Sequence, residues 1–205
     1  MQFGVTRVRV SAGEKGVQYV RAEPDLGDYP DRLTDRFRHW ALTDPARPFV
    51  ARRERLPDGS SGDWRMVTFG EAWSAASSIA QALIDRGLSV ERPVAILSEN
   101  SIEHALMALG CMLAGVPFAP ISPAYALVSR DFEKLRHVLA VTTPGLVFAA
   151  DTRYAPALAA TVAADIEVVL AQGGEIGRRV TALGELLDTQ PTEAVERAIA
   201  ATGPD

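Results

Sequence analysis

The sequence predicts an α/β fold, an open and mostly parallel β-sheet with helices on both faces, plus a β-hairpin. From Pro93 onward, four short apolar segments alternate with three segments whose apolar residues recur at helical spacing. Short apolar strands alternating with amphipathic helices are typical of a parallel sheet that is covered on both faces. Earlier in the chain, the turn-forming run PDGSSG separates two strand-like segments and indicates the hairpin.

The four predicted strands determine which turns should lie together at one edge of the sheet. They are VAIL, VPFAPI, GLVFAA and IEVVL, and the helices between them are predicted over residues 101–114, 129–141 and 152–163. Parallel strands joined by right-handed helical crossovers place their carboxyl ends at the same edge. The turns that follow VAIL and VPFAPI are therefore expected to lie side by side.

Further elements are predicted on both sides of this region. The clearest is the helix TFGEAWSAASSIAQALIDRG, in which Thr68 and Glu71 have capping-box spacing and Gly87 supplies a left-handed stop. The others are strands at 3–10 and 17–22, a helix opened by Tyr29-Pro30 and ended by Asp44-Pro45, the hairpin at 48–68, a loop AQGGEIGRR, and helical pieces VTALGELLD and TEAVERAIAA. We divide the chain into amino-terminal strands and lead-in (1–28), an α/β subdomain (29–171), and a loop with a helical tail (172–205).

Composition excludes several classes of partner. The chain has 205 residues, a net charge of −5 and a pI near 5.3, which argues against nucleic acid and anionic membranes. No segment reaches the roughly 18 apolar residues of a membrane span, and the start lacks the apolar block of a signal peptide. Cys111 is the single cysteine, which rules out an internal disulfide and suits a reducing compartment. We therefore predict a cytoplasmic protein.

Few motifs in the chain carry chemistry. Gly173-Gly174-Glu175-Ile176-Gly177 lacks the following Lys-Ser/Thr of a nucleotide-phosphate loop, and is interpreted as a surface loop. No spacing of His or Cys indicates a metal site, and no serine lies in a G-x-S-x-G turn. The sequence therefore predicts neither a catalytic residue nor a metal ligand within this chain.

The polar turn after VAIL is the main candidate site. Asn100 and Glu103 have capping-box spacing, so Asn100 is expected to cap the following helix. The same turn lies at the carboxyl end of a parallel strand, where α/β sheets bind ligands. We therefore select Ser98 and Asn100, together with Ser122 and Tyr125 after the next strand, as residues that bind a cofactor or border its site.

The helix after this turn carries small residues beside its apolar face. Its packed face is predicted from Ile102, Leu106, Leu109 and Leu113. The small residues, expected to permit close approach to the sheet, are Ala105, Ala108, Gly110 and Ala114.

The order of segments resembles the amino-terminal region of adenylate-forming acid–CoA ligases. The resemblance covers about residues 17–150, through a helix, V-A-I-L-S-E-N-S, a second helix, and G-V-P-F-A-P. Within that superfamily, YPDRLTDR and SPAYALVSRDFEKLRHVL look most like feruloyl-CoA synthases. The resemblance implies the fold of the amino-terminal subdomain of such a ligase.

It also implies a two-step reaction that uses ATP, Mg²⁺ and CoA. ATP and an aromatic carboxylic acid, ferulate or a related hydroxycinnamate, would give an acyl-adenylate and pyrophosphate. CoA would then displace AMP to form the thioester. Adenylation helps because a carboxylate is a poor electrophile, and Mg²⁺ would neutralise phosphate charge.

The chain departs from the family pattern at its end. The Ser/Thr/Gly-rich phosphate loop ending in Lys-Gly has no counterpart here, and neither do the later elements of the family's site. We therefore expect an inactive amino-terminal fragment that binds no cofactor alone and whose partner is the rest of its own chain. Two alternatives stay open at this point: a self-contained, non-catalytic binding or regulatory module, and a ligase for benzoate-like or fatty acids.

Overall fold

The structure, a computed structural model, describes residues 7–24, 27–56 and 58–203. It divides the chain into an amino-terminal unit, Met1–Asp31, and a larger unit, Arg32–Asp205. The smaller unit contains an antiparallel hairpin of β1 (Val8–Ala12) and β2 (Gln18–Ala22). Residues 3–6 of the predicted first strand, and Pro57 of the predicted turn, lie outside the described residues.

The larger unit is built on a five-stranded parallel sheet. Its strands are β5 (Val94–Leu97), β6 (Phe118–Ile121), β7 (Leu146–Ala149), β8 (Glu167–Leu170) and β9 (Thr181–Ala182), in the order β6-β5-β7-β8-β9. An antiparallel hairpin, β3 (Pro48–Arg55) and β4 (Ser61–Thr68), precedes the sheet. The predicted α/β fold and its hairpin are therefore confirmed.

The helices lie in two layers. One layer contains α1 (Leu33–Thr43), α2 (Phe69–Asp85), α3 (Ile102–Ala114), α7 (Leu183–Leu187) and α8 (Glu193–Ala201). The other contains α4 (Ala124–Leu127), α5 (Glu133–Thr142) and α6 (Ala155–Thr161). Val94 and Ile96 of β5 pack in the first core and Ala95 and Leu97 in the second, since successive strand residues point to opposite faces.

Several predicted boundaries are corrected. The helix expected from Tyr29-Pro30 begins at Leu33, and VPFAPI pairs only from Phe118. The helix predicted over 129–141 begins at Glu133, after the separate α4, because Phe132 adopts a left-handed φ of 55°. The helix predicted over 152–163 is a 3₁₀ turn, Thr152–Tyr154, followed by α6.

The predicted number of parallel strands was also wrong. Thr181 and Ala182 are the second and third residues of the segment VTALGELLD, which was expected to be helical, yet they pair with Val169 and Leu170 as a fifth strand. The hydroxyl of Thr181 also donates to Glu167 Oε1 at 2.7 Å. Tertiary pairing therefore overrides the local helical spacing at this position.

Helix α2 has its predicted ends and is buried on several sides. Thr68 N donates to Glu71 Oε2 at 2.8 Å and Glu71 N donates to Thr68 Oγ1 at 3.2 Å, which completes the capping box. Gly87 follows with φ 62°. The helix packs against α1, α3, α7 and α8, and its buried residues are Ala72, Ala76, Ser77, Ser78, Ile79, Ala80, Gln81, Ala82 and Leu83.

The carboxyl-terminal helices pack into the first core. Leu183 and Leu186 of α7 and Val195 of α8 are buried there. Gln81, a buried residue of α2, accepts hydrogen bonds from the amide and the hydroxyl of Thr192, which caps α8. At the other end of α8, Arg32 Nη1 donates to the carbonyl of Ile199 at 2.8 Å. Polar contacts therefore hold both ends of α8 against the rest of the unit.

Candidate functional site

The candidate site is the carboxyl edge of the sheet, where the strand order reverses. From β5 the chain crosses first to β6 on one side and then to β7 on the other. Such a switch point opens a crevice at the carboxyl ends of the strands, where open α/β sheets bind ligands. Leu97 pairs with both Ile121 and Ala149, so the turns after β5, β6 and β7 lie at one edge. The predicted adjacency of the turns after VAIL and VPFAPI is confirmed.

The four selected residues differ in what their side chains can offer. Ser98 is buried, and its hydroxyl donates to the Glu99 carbonyl at 2.6 Å. Asn100 and Ser122 are exposed at the edge. Tyr125, in α4, is half-buried against the second core, and the Lys134 ammonium lies 5.5 Å from its ring centroid. Two polar groups therefore face solvent, while Ser98 and Tyr125 mainly support the turns.

The predicted cap of α3 is corrected. Ser101, not Asn100, is the capping residue, and its hydroxyl accepts from His104 N at 3.0 Å. Glu103, the proposed partner of the cap, instead forms an ion pair with Arg65 of β4 at 2.5 Å. Because Glu103 pairs with Arg65 of the distant β3–β4 hairpin, it does not complete the expected capping box with Asn100.

The corrected cap gives a matched pair of variants. We expect Ser101→Ala to lower the free energy of unfolding by about 1 kcal/mol, the usual cost of losing a cap. Asn100→Ala should leave it unchanged within about 0.5 kcal/mol, as for most exposed substitutions. Chemical denaturation of the two variants measures the difference. A larger loss for Asn100→Ala would restore the original prediction.

A cluster of charged side chains, missed in the sequence, spans the switch point. Arg153 Nη2 donates to Glu99 Oε2 at 2.7 Å and to Asp151 Oδ2 at 2.8 Å. Glu99 follows β5, whereas Asp151 and Arg153 follow β7, so the guanidinium joins the two sides of the crevice. An Asp-x-Arg sequence directly after GLVFAA was the available signal, but only the strand order shows that Glu99 lies opposite.

The cluster shifts the ionisation of its members. The hydrogen bonds from Arg153 hold the pKa of Asp151 below its usual range, and the two carboxylates raise the pKa of Arg153. Burial, with Glu99 nearby, raises the pKa of Tyr154, which therefore stays neutral. Its hydroxyl has no hydrogen-bond partner within the part of the chain that the structure describes. Tyr154 is fully buried in the second core, so its hydroxyl is not exposed to a ligand in the crevice.

The described residues do not fit a Mg²⁺ ion at this edge. Within residues 7–24, 27–56 and 58–203, no group of three or more His, Cys, Asp or Glu side chains could hold a metal. The two nearest carboxylates, Glu99 and Asp151, are both bound by Arg153. Mg²⁺ prefers free carboxylate and water oxygens in octahedral geometry, so no chemical step is assigned to a metal held by this chain.

The glycine-rich segment after β8 is a loop, as predicted. Gly173 and Gly177 have φ values of 106° and 75°. Arg178 donates to the carbonyls of Val162, Ala163 and Ile166 at 2.7–3.0 Å and so fastens the loop to the end of α6. A cavity of about 730 Å³ lies between this loop and the start of α7.

Comparison with known proteins places the chain in a family. A family model described as "AMP-binding enzyme" matches residues 37–200, so the chain belongs to the AMP-binding enzyme family. The chain is 32% identical over 96 residues to the probable non-canonical nonribosomal peptide synthetase CymA of Salinispora arenicola, which is 47% of this chain and 1% of that protein. It is 38% identical over 58 residues to surfactin synthase subunit 2 of Bacillus subtilis, covering 28% of this chain and 2% of that one.

Solved structures share the fold. A putative long-chain-fatty-acid CoA ligase from Rhodopseudomonas palustris has a TM-score of 0.60 at 22% identity, over 78% of this chain and 37% of that chain. The fatty acyl-adenylate ligase from L. pneumophila has a TM-score of 0.55 at 20% identity, over 80% and 26%. The fold is that of the amino-terminal subdomain of adenylate-forming ligases, and the chain spans only 26–37% of the length of these two structures.

Among the described residues, no helix combines enough length with enough apolar character to cross a bilayer.

Proposed function

We propose that this chain supplies the amino-terminal α/β subdomain of an ATP-dependent, AMP-forming carboxylic acid–CoA ligase. The supporting observation is the family match over residues 37–200 on a sheet with this strand order. In that reaction the acid attacks the α-phosphate of ATP, which releases pyrophosphate and converts a carboxylate oxygen into part of a leaving group. The CoA thiol then forms the thioester and releases AMP.

The subdomain would act by shaping one wall of the site. In this proposal Asn100 and Ser122 offer an amide and a hydroxyl at the edge, while Ser98 and Tyr125 hold the turns that carry them. The Arg153–Glu99 pair fixes the distance between the turns after β5 and β7. Because the described residues include no lysine-containing phosphate loop, ATP chemistry is assigned to the ligase as a whole.

The activity prediction is tested on the 205-residue chain itself. With ATP, Mg²⁺, CoA and ferulate, we expect no pyrophosphate release above an enzyme-free blank, since this chain carries no phosphate-binding lysine loop. The control is the protein encoded by any reading frame that continues beyond Asp205 through such a loop, which should release pyrophosphate with an acid. Release by the short chain, or a stop codon after Asp205, would contradict the proposal.

A panel of acids tests the substrate class. The resemblance to feruloyl-CoA synthases makes ferulate the first acid to test, and benzoate and a long-chain fatty acid provide the contrast. For the intact ligase, encoded by a reading frame that continues beyond Asp205, we expect the highest kcat/KM with a hydroxycinnamate. A preference for the fatty acid would replace the aromatic assignment but keep the ligase proposal.

A further inference from the structure

An aromatic cavity of about 270 Å³ lies between α1, the start of β3, the start of α2 and the middle of α3. Four aromatic side chains line it: Phe37, Trp40, Phe49 and Phe69. None of its lining residues belongs to the turns that follow β5, β6 and β7. The cavity is therefore separate from the crevice at the carboxyl edge of the sheet.

The four rings pack against one another. The ring centroids of Phe37 and Phe49 lie 5.2 Å apart, and those of Phe49 and Phe69 lie 4.8 Å apart. The Trp40 ring lies 6.4 Å from Phe69, and all three pairs are tilted, which is a favourable arrangement at these distances. Phe37 is buried, whereas the other three are half-buried and keep part of each ring accessible. Because the walls are already packed, a ligand has few side chains to order when it binds.

Positive charge borders this apolar space. Arg36 is exposed and lines the cavity, and the Arg47 guanidinium lies 4.1 Å from the centroid of the Trp40 ring. Within the described part of the chain, neither arginine forms an ion pair, whereas Arg32 and Arg38 of the same region do. Among the described residues, no Asp or Glu lines the cavity. Two guanidinium groups without a carboxylate partner thus lie beside an aromatic pocket.

We propose that this cavity binds a small aromatic carboxylate, with the ring packed against the aromatic wall and the carboxylate at Arg36. An apolar cavity of about 150 Å³ already holds benzene, so the space admits one ring with a short acidic side chain. Aromatic walls also suit a cation, but the two guanidinium groups would repel one, whereas they attract a carboxylate. Binding here requires neither ATP nor turnover, and so goes beyond the proposed function.

An NMR titration of the 205-residue chain with cinnamate, in the absence of ATP, tests the site. We expect saturable binding with a Kd of about 1 mM, as for a ligand of this size. The indole N–H signal of Trp40 should shift. Trp64 lies in β4, is exposed and does not line the cavity, so its indole signal should stay in place as an internal control. The variants Trp40→Phe and Trp64→Phe identify the two signals.

A cycle of two ligands and two proteins tests the contact with Arg36. Arg36→Gln should weaken cinnamate binding about fivefold, the effect of losing one exposed ion pair. It should leave the binding of cinnamamide unchanged, because that ligand carries no charge. Arg130→Gln changes an exposed arginine between α4 and α5, in the other helix layer, and is the matched control. Both positions are exposed, so both variants should fold normally.

Several results would overturn the proposal. They are the absence of saturable binding, equal shifts of the two indole signals, equal weakening by Arg36→Gln and Arg130→Gln, and hexanoate binding as tightly as cinnamate. Shifts confined to the turns after β5 and β6 would place the acid in the crevice and would also overturn it. None of these outcomes depends on pyrophosphate release, so the ligase proposal is tested separately.

Discussion

Replacing Gly110 with alanine is expected to lower the free energy of unfolding by about 1–3 kcal/mol, the usual cost of overpacking a core. A Cβ atom at Gly110 would lie 2.4 Å from Ile79 Cγ2 and 2.7 Å from Ile79 Cβ. Ile79 cannot turn away easily, because a β-branched side chain in a helix has one strongly preferred rotamer. Helices α2 and α3 would have to separate to admit the methyl group.

Alanine substitution at a glycine where an added Cβ atom has free space provides the control for this steric effect. Alanine is intrinsically favoured over glycine in a helix by about 1 kcal/mol, so the loss at Gly110 occurs despite a gain in propensity. Among the described residues, no atom other than those of its chain neighbours and its own helix backbone lies within 4 Å of the Cβ position at Gly184 of α7. Gly184→Ala should therefore be neutral or stabilising. Urea denaturation of both variants measures the contrast.

A double-mutant cycle tests the contact itself. Ile79→Ala removes the Cγ2 atom that lies nearest to the added methyl group. The double variant should therefore be more stable than the sum of the two single losses predicts, as expected for residues in contact. Additive losses, or a Gly110→Ala variant as stable as the parent chain, would contradict the close approach of α2 and α3.

Gly110 also shows what the sequence could and could not specify. The small residues of α3 predicted a close approach, and that approach exists, but Gly110 contacts α2 rather than the sheet. Spacing along one helix shows that a flat surface is present, whereas the partner of that surface is decided by the packing of distant segments. The parallel sheet, by contrast, was predictable, because strands that alternate with helices are joined by right-handed crossovers and therefore run parallel.

The candidate site was predictable only as a location. The carboxyl edge follows from the strand pattern, but the side chains that meet there do not. Arg153 and Glu99 are 54 positions apart and come together because β7 lies beside β5. In the same way, Arg65 takes Glu103 away from the cap that sequence spacing predicted. Local rules describe neighbours within a turn of helix, and charges that pair across elements lie beyond those rules.

Gln81 provides the second large effect, through the docking of α8. Its side-chain oxygen accepts from Thr192 N at 2.9 Å and from Thr192 Oγ1 at 2.8 Å, and its side chain is nearly fully buried. Thr192 Oγ1 in turn accepts from Ala194 N and caps α8. One buried amide thus links the middle of α2 to the first turn of a helix about 110 residues later.

We expect Gln81→Met to lower the free energy of unfolding by about 1–3 kcal/mol, since it removes the two hydrogen bonds that the buried Gln81 accepts from Thr192, each worth about 0.5–1.5 kcal/mol. Methionine keeps most of the side-chain volume, so the effect reports the hydrogen bonds rather than a cavity. The matched control is Gln190→Met, which makes the same change at an exposed position. Its stability should stay within about 0.5 kcal/mol of the parent chain.

Hydrogen exchange separates a local loss of α8 from a general loss of stability. Val195 and Ile199 anchor α8 in the first core, so the helix should remain formed in Gln81→Met but open more often. Amides of residues 193–201 should then exchange faster, while those in the centres of α2 and α3 change only with the global stability. Uniform acceleration across all three helices would show that Gln81 supports the whole core rather than the attachment of α8. An unchanged stability would mean that water replaces the lost acceptor at Thr192.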